Sequence, residues 1–527
     1  MSDKKGNVSK IRGFAVLFST HPGLCPGEKR KEYLSSPSDV PTKRYNREQS
    51  KEDNLMDIRD YVKSFGVKQV LNYVDKDFER NAIKVCDWLI EHDKGGGVTS
   101  EATQVRNVLA DKDSNWYQLI RSVYTEIDDE QRRRLFENFI INACLIGTPK
   151  GFENSAKYDC NVPWAILMDP TSGCNLHCTG CWAAEYGNKL NMTLEELDSI
   201  ITQGEELGCY FYIYSGGEPL VRKKDIITLC ERHPEAAFLS FTNGTLIDEA
   251  FADEMLRVKN FVPAISVEGF EEATDFRRGK GTYAAVIRAM NILKERRLLF
   301  GISCCYTSKN TEVIGSEAYY DQMIELGAKF MWLFTYMPVG QDAVPELLVS
   351  AEQRAYMYHF VREMRSKKPL FTLDFWNDGE YADGCIAGGR RYLHINANGD
   401  VEPCAFIHYS DSNIREKTLL EALQSPLFMQ YHRNQPFNEN MLRPCPLLDN
   451  QGKLAEMVDA SGAHSTDMQH PEDAHVLCDK CKDVADCWQV KSQELWEASG
   501  GPEKWEAKKV KLQERDEKMK KKVGKAS

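Results

Sequence analysis

From Trp164 onward the chain repeats one unit, a short apolar run followed by an amphipathic segment, and this repeat constrains its fold more than any other feature. WAILMD, CYFYIYSGG, AAFLSFTNG, FVPAISVEG, FGISCCYT and FMWLFTYMP read as strands, the pattern of parallel βα units. Between them lie helices such as YAAVIRAMNILKERR and LEELDSIITQGEELG, the latter opened by Thr193 with Glu196 as a capping box. Six such units predict an α/β fold, a partial or complete βα barrel of about six parallel strands with its site at their carboxyl ends. VSAEQRAYMYHFVREMRSKK supplies a last helix and LFTLDFW a possible further strand.

The 527 residues exceed what one hydrophobic core supports, so several domains are expected. Residues 1–54 carry Pro, Ser, Lys, Arg and Glu with no sustained apolar period and read as a flexible leader. Residues 55–159 read as a helical N-terminal domain, with apolar residues three or four apart in VKQVLNYV, NAIKVCDWLIEH, NWYQLIRSVY and QRRRLFENFIINACLI. The barrel takes residues 160–376. Residues 377–500 are rich in Cys, Pro, Asn and Gly and poor in long periodic segments, so metal is expected to help hold them together. Within them RYLHINANGDVEPCAF predicts a hairpin around Asn398 and Gly399. Residues 501–527 form a lysine-rich helix or tail.

A net charge of -12 sets most of the surface against nucleic-acid phosphates. No apolar stretch approaches the roughly 18 residues of a membrane span, and the reading is of a cytoplasmic protein. Seventeen cysteines in a chain of this length are too sparse for a disulfide scaffold and too clustered for chance, which favours reduced, metal-binding thiols.

The string MDPTSGCNLHCTGCWAAEYG puts Cys174, Cys178 and Cys181 in a C-x3-C-x2-C spacing just after the first strand. Three thiolates ligate three irons of a cubane and leave the fourth open to chelate a substrate. Zinc is the rival metal, but a structural zinc site takes four ligands in finger-like pairs. The spacing and its place resemble the radical S-adenosylmethionine (radical SAM) superfamily over residues 160–370. Gly216, Gly217 and Glu218 end the second strand in Ser215-Gly-Gly-Glu-Pro, similar to the motif that binds the methionine amine of the cofactor. Glycine permits close backbone approach and the carboxylate accepts from an ammonium group. By the same resemblance Asn243 ends the third strand and Ser266 the fourth, against the ribose and carboxylate of the cofactor, and Arg278 in DFRRGKGTYAAV pairs with a carboxylate or forms a surface ion pair. One departure is Gly180, where relatives carry a bulky residue before the third cysteine; Trp182 either covers the adenine instead or simply packs.

Cys385, Cys404, Cys445 and the C-x2-C-x5-C set Cys478, Cys481 and Cys487 form a second constellation, similar to the SPASM extension that holds auxiliary [4Fe-4S] clusters. The extension's next cysteine is replaced by Lys491, and Cys445 is extra. Six thiols cannot fill two four-thiolate sites, so one cluster or two with an incomplete set is implied, with His464, His470 and His475 as nearby alternatives. A zinc knuckle on Cys445, Cys478, Cys481 and Cys487 is the competing reading. Cys86, Cys144, Cys209, Cys304 and Cys305 read as small buried hydrophobes.

The resemblance implies that an external one-electron reductant such as ferredoxin or flavodoxin feeds a cluster that cleaves S-adenosyl-L-methionine to a 5'-deoxyadenosyl radical, which takes hydrogen from a substrate. The SPASM-like region implies a peptide or protein side chain; a lipid or small metabolite is the alternative. An iron-sulfur electron carrier or redox sensor is the reading from another class, against which stands the ammonium-binding Glu218. Tyr336, Asp374 and Asp378 lie near predicted strand ends with nothing to separate them from packing residues.

Overall fold

The computed structural model describes residues 66–93, 99–340 and 342–526, and the predicted leader lies outside them. The chain divides into two compact units, residues 20–111 and the remainder. The described part of the first unit is three helices, Val67–Lys76, Phe78–His92 and Thr99–Ala110. Asp77 caps the second by accepting from Arg80 N at 3.3 Å.

In the larger unit the helices Asn115–Glu126, Asp129–Leu135, Phe136–Gly147 and Thr148–Tyr158 precede a nine-stranded sheet. Its strands are β1 (Ala165–Met168), β2 (Phe211–Tyr214), β3 (Ala237–Thr242), β4 (Phe261–Ser266), β5 (Gly301–Tyr306), β6 (Phe330–Thr335), β7 (Phe371–Asp374), β8 (Tyr392–Ile395) and β9 (Val401–Glu402). The order is β7-β6-β5-β4-β3-β2-β1-β8-β9, open at β7 and β9, hence a partial barrel. The six expected strands are β1 to β6, and LFTLDFW supplies β7. β8 pairs in parallel with the free side of β1, and β9 returns antiparallel.

Strand alternation sorts the core into two layers. Ile166, Met168, Tyr212 and Tyr214 point outward against Leu197, Ile200 and Ile201 of the helix Leu194–Leu207. Leu167, Phe211, Ile213 and Leu239 point inward, in one cluster with Trp376, Ile407, Tyr431 and Leu477. The capping box predicted for that helix is present, with Thr193 Oγ1 accepting from Glu196 N at 3.1 Å and Glu196 Oε2 from Thr193 N at 2.6 Å.

The predicted hairpin is β8 and β9, but its connection is a five-residue loop over 396–400 in which Asn396 Oδ1 accepts from Asn398 N and Asp400 N at 3.0 and 3.1 Å. The region expected to lack long periodic segments holds a 25-residue helix, Ala474–Ala498. Its buried stripe runs Leu477, Cys481, Ala485, Trp488, Ser492 and Leu495, a helical period. Setting the cysteines aside as ligands removes them from that stripe and hides it. The tail is also helical, Gly501–Ala526. No helix among the described residues is long and apolar enough to cross a membrane.

Candidate active site

The loop after β1 and the carboxyl ends of the strands wall a cavity of about 330 Å³. Cys174, Cys178 and Cys181 line it, each half-buried. The turn after β2 buttresses their loop: Gly217 N donates to Thr171 O at 3.0 Å and Glu218 N to Gly173 O at 2.9 Å. A Cβ on Gly217 would stand 2.3 Å from Gly173 O, so the close approach that demands glycine is to the chain's own cysteine loop.

Glu218 is buried, and its carboxylate accepts from Leu220 N (3.0 Å), Thr242 Oγ1 (2.6 Å) and Asn243 N (2.7 Å). Burial raises its pKa, and those three hydrogen bonds oppose the rise. A carboxylate offers about four acceptor sites, so one is left for a cationic group in the cavity. Asn243 ties β3 to the cysteine loop, its Nδ2 donating to Asn175 Oδ1 at 2.8 Å. Ser266 is buried on the cavity wall.

Arg278 is neither a surface pair nor alone. Buried Glu268 accepts from Arg277 Nη1 at 2.5 Å, from Arg278 Nε at 2.8 Å and from Cys305 N at 2.8 Å. Two guanidinium groups on one carboxylate leave an excess positive charge, and Arg278 Nη1 lies 3.9 Å from Cys178 Sγ. Burial raises the pKa of the Cys181 thiol, with Arg277 and Arg278 opposing the rise, and burial pushes Cys174 up to about 11. Sequence reasoning named Arg278 but missed Arg277 and the carboxylate they share; charged residues following a strand end are the one signal it had.

Gly180 sits at φ +63, and a Cβ there would come within 2.5 Å of the Tyr336 hydroxyl. Tyr336, a residue of the cavity wall, thus fills the space beside residue 180. Trp182 also lines the cavity, packing edge-on to Phe406 and His394 at 5.8 and 5.7 Å between ring centres. Behind it is a buried network that the sequence did not disclose. His394 bridges Asp169 Oδ2 (3.0 Å) and Glu402 Oε2 (2.6 Å), and Tyr186 OH donates to Glu402 at 2.8 Å. Burial works against the imidazolium, yet Asp169 and Glu402 outweigh it and lift His394 to about 10.

Cys385, Cys404 and Cys445 line the same cavity, with Tyr431 among them. Donors face their sulfurs: Tyr392 OH reaches Cys404 Sγ at 2.7 Å and Leu448 N reaches Cys445 Sγ at 3.4 Å. Cys478 and Cys481 are buried on one face of the helix Ala474–Ala498, next to this group, whereas Cys487 is exposed. Six residues after Cys481 a helix has turned about 240° beyond a full turn, which carries Cys487 to another face and away from a shared site. His475 pairs with Asp459 at 3.0 Å, His470 with Glu185 at 3.3 Å, and neither they nor His464 line the cavity.

Cys86, Cys144, Cys209 and Cys304 are buried as expected, but Cys305 is only half-buried and lines the cavity. In β5, Cys304 points outward to Tyr319 OH (3.2 Å), so strand alternation turns Cys305 inward. Asp374 and Asp378 border the cavity; Arg365 Nη1 holds Asp378 at 2.8 Å, while burial and then Asp378 raise Asp374 to about 6.

Three thiols on one loop, an excess cation beside them and an acceptor with spare capacity fit a cluster chelated by an amino acid group. Among the described residues no three His, Cys, Asp or Glu side chains converge as for a single metal ion. A cubane places each thiolate on a separate iron and needs no such convergence.

Residues 168–307 match the Radical SAM superfamily and residues 385–446 the SPASM iron-sulfur cluster-binding domain. The cysteine-type anaerobic sulfatase-maturating enzyme of Clostridium perfringens (strain 13 / Type A) is 30% identical over 310 residues, 50% of this chain and 80% of that protein. The AdoMet-dependent heme synthase of Methanosarcina barkeri is 24% identical over 290 residues, 50% of this chain and 82% of the relative. PqqA peptide cyclase of Granulibacter bethesdensis is 26% identical over 294 residues, 51% and 76% of the two chains. The cofactors that follow are [4Fe-4S] clusters and S-adenosylmethionine. With its three-cysteine loop at the mouth of a parallel partial barrel and a second cysteine group facing it, the chain is an enzyme of the radical SAM superfamily with a SPASM domain.

Proposed function

We propose that the enzyme takes a hydrogen atom from a peptide or protein side chain held in this cavity. The observation that carries the reading is the sharing of one cavity by Cys174, Cys178, Cys181, Glu218, Asn243 and Ser266 on one side and Cys385, Cys404 and Cys445 on the other. When bound, the cluster and S-adenosylmethionine supply a 5'-deoxyadenosyl radical through one-electron cleavage, fed by an external donor such as ferredoxin or flavodoxin in a reducing cytoplasm. Cys174, Cys178 and Cys181 hold the cluster. Glu218 accepts from the methionine ammonium, Asn243 and Ser266 orient the nucleoside, and Arg278 balances charge. The aromatic wall excludes water. That the similar proteins include a peptide cyclase and an enzyme that matures a sulfatase supports a peptide or protein substrate.

A second reading, a lipid or small metabolite, is favoured by the wall itself. Leu167, Ile213, Phe241, Trp332, Phe334 and Phe375 line it, and among its charged groups Glu218, Arg277, Arg278 and Asp378 each hold at least one partner within the protein. Anaerobic reconstitution followed by assay for 5'-deoxyadenosine, with peptide and lipid fractions added separately, tests both. A peptide-dependent rise supports the first reading, and a rise with lipid alone replaces it with the second.

A further inference from the structure

Cys305 stands outside both cysteine groups, yet its β5 position turns it into the cavity beside Ser303, with Trp332, Tyr336 and Arg277 on the same wall. It has no iron-binding neighbours in sequence: Cys304 faces the opposite side of the sheet. Its backbone is fixed, because Cys305 N donates to Glu268 Oε2 at 2.8 Å and β5 is paired along its length with β6. Next to it lies a second sign that a ligand belongs here. Arg277 is only 8% exposed, and although Nη1 is held by Glu268, its Nε has no partner in the protein while the residue lines the cavity. A buried guanidinium N–H without a partner, on a residue of the cavity wall, is satisfied by a polar group of an occupant seated against Arg277.

We infer that Cys305 is a catalytic hydrogen-atom donor, returning a hydrogen to the carbon radical formed in the cavity. This rests on the hydrogen-abstraction reading above and deepens it. An ordinary thiol is mostly S–H at neutral pH. The S–H bond is weaker than most C–H bonds, so transfer to a carbon radical runs downhill. In the step, the Cys305 S–H bond breaks and a C–H bond forms, which leaves a thiyl radical. One electron from an iron-sulfur or flavin donor of the class that drives the cluster, with one proton from solvent, restores the thiol. The substrate then leaves with the hydrogen count it brought, so the net result is not an oxidation, and a hydrogen returned to the opposite face of the carbon changes its configuration.

The thiol hydrogen exchanges with solvent and the nucleoside C–H bonds do not, which gives a test that needs no substrate. The reconstituted full-length enzyme is driven with titanium(III) citrate and S-adenosylmethionine in D2O, and the isotope content of the 5'-deoxyadenosine is read by mass spectrometry. With no substrate present, the nearest donor quenches the radical, so the parent should yield mostly singly deuterated product. The 5'-deoxyadenosine formed by Cys305→Ser and Cys305→Ala should carry several-fold less deuterium. Freeze-quenched samples of the parent should carry a thiyl signal that cysteine deuterated at its β-carbon narrows and that both variants lack. Equal deuterium content in parent and variants overturns the inference, as does loss of 5'-deoxyadenosine in both variants, which would assign Cys305 to building the radical site. A parent that makes no 5'-deoxyadenosine would instead overturn the hydrogen-abstraction reading.

Discussion

Gly180 and Tyr336 share one space: a Cβ on residue 180 would meet the tyrosine at its hydroxyl, 2.5 Å away, and at Cε2, 2.7 Å away. Gly180→Ala therefore adds a clash to the strain of φ +63, together about 1 to 3 kcal/mol. Iron retained by the loop after reconstitution should fall. In the double variant with Tyr336→Ala the clash is gone and the backbone strain stays, so recovery should be partial; full recovery would remove strain from the account.

Glu218→Gln should act twice. Its new amide group must face Asn243 N–H or Thr242 Oγ1, both of which donate to the carboxylate in the parent. The melting temperature of the cluster-free protein should drop. Loss of a charged hydrogen bond costs about 1.5 to 3 kcal/mol, so S-adenosylmethionine binding should weaken roughly ten- to hundredfold. An unchanged affinity in a calorimetric titration would leave Glu218 only its structural task.

Replacing Cys174, Cys178 and Cys181 together by Ala should abolish 5'-deoxyadenosine formation while the fold remains, because their loop is held by backbone bonds from Gly217 and Glu218. About four irons per chain should persist at the second group. In that background Cys445→Ser should lower the iron content and Cys487→Ser should not, since Cys445 lines the cavity and Cys487 faces solvent.

His394 gives stability a pH limit. Its pKa is raised from 6.5 to about 10 in the folded protein, so the folded state binds the extra proton. The stabilisation is complete below pH 6.5 and is lost as pH rises through about 10. His394→Leu leaves Asp169 and Glu402 facing each other without a cation, and removing one partner of a buried ionic group costs about 3 to 5 kcal/mol. Urea unfolding at pH 6 and pH 10 should show a large gap between parent and variant at the lower pH and a smaller one at the higher.

The strands and the three-cysteine loop were legible because each is local: an apolar run, a capping box, a spacing. What links them was not. Glu268 reads as one acidic residue in SVEG, and only the fold brings Arg277, Arg278 and the Cys305 amide to it. The His394 network joins residues from 169 to 466, and no window along the chain contains it. Cys305 was misread because two adjacent cysteines in a strand look alike until the pleat sends one to each face. The helix Ala474–Ala498 was missed because its cysteines were given to metal when they also belong to the apolar stripe.

Ala165 of β1 is paired on one side with Phe211 of β2, the strand that follows it, and on the other with Tyr392 of β8. A ribosome has therefore finished the barrel strands through β7 before the first of them can be flanked on both sides. Until then β1 presents an open row of amides and carbonyls, the kind of edge that recruits other chains, and the late long-range pairing slows folding. The cysteine loop follows directly from β1, so it is synthesised long before the strand that closes the second side of β1. A chain cut after residue 376 would keep that row open for good and should aggregate, which makes the SPASM segment a condition of the barrel's solubility.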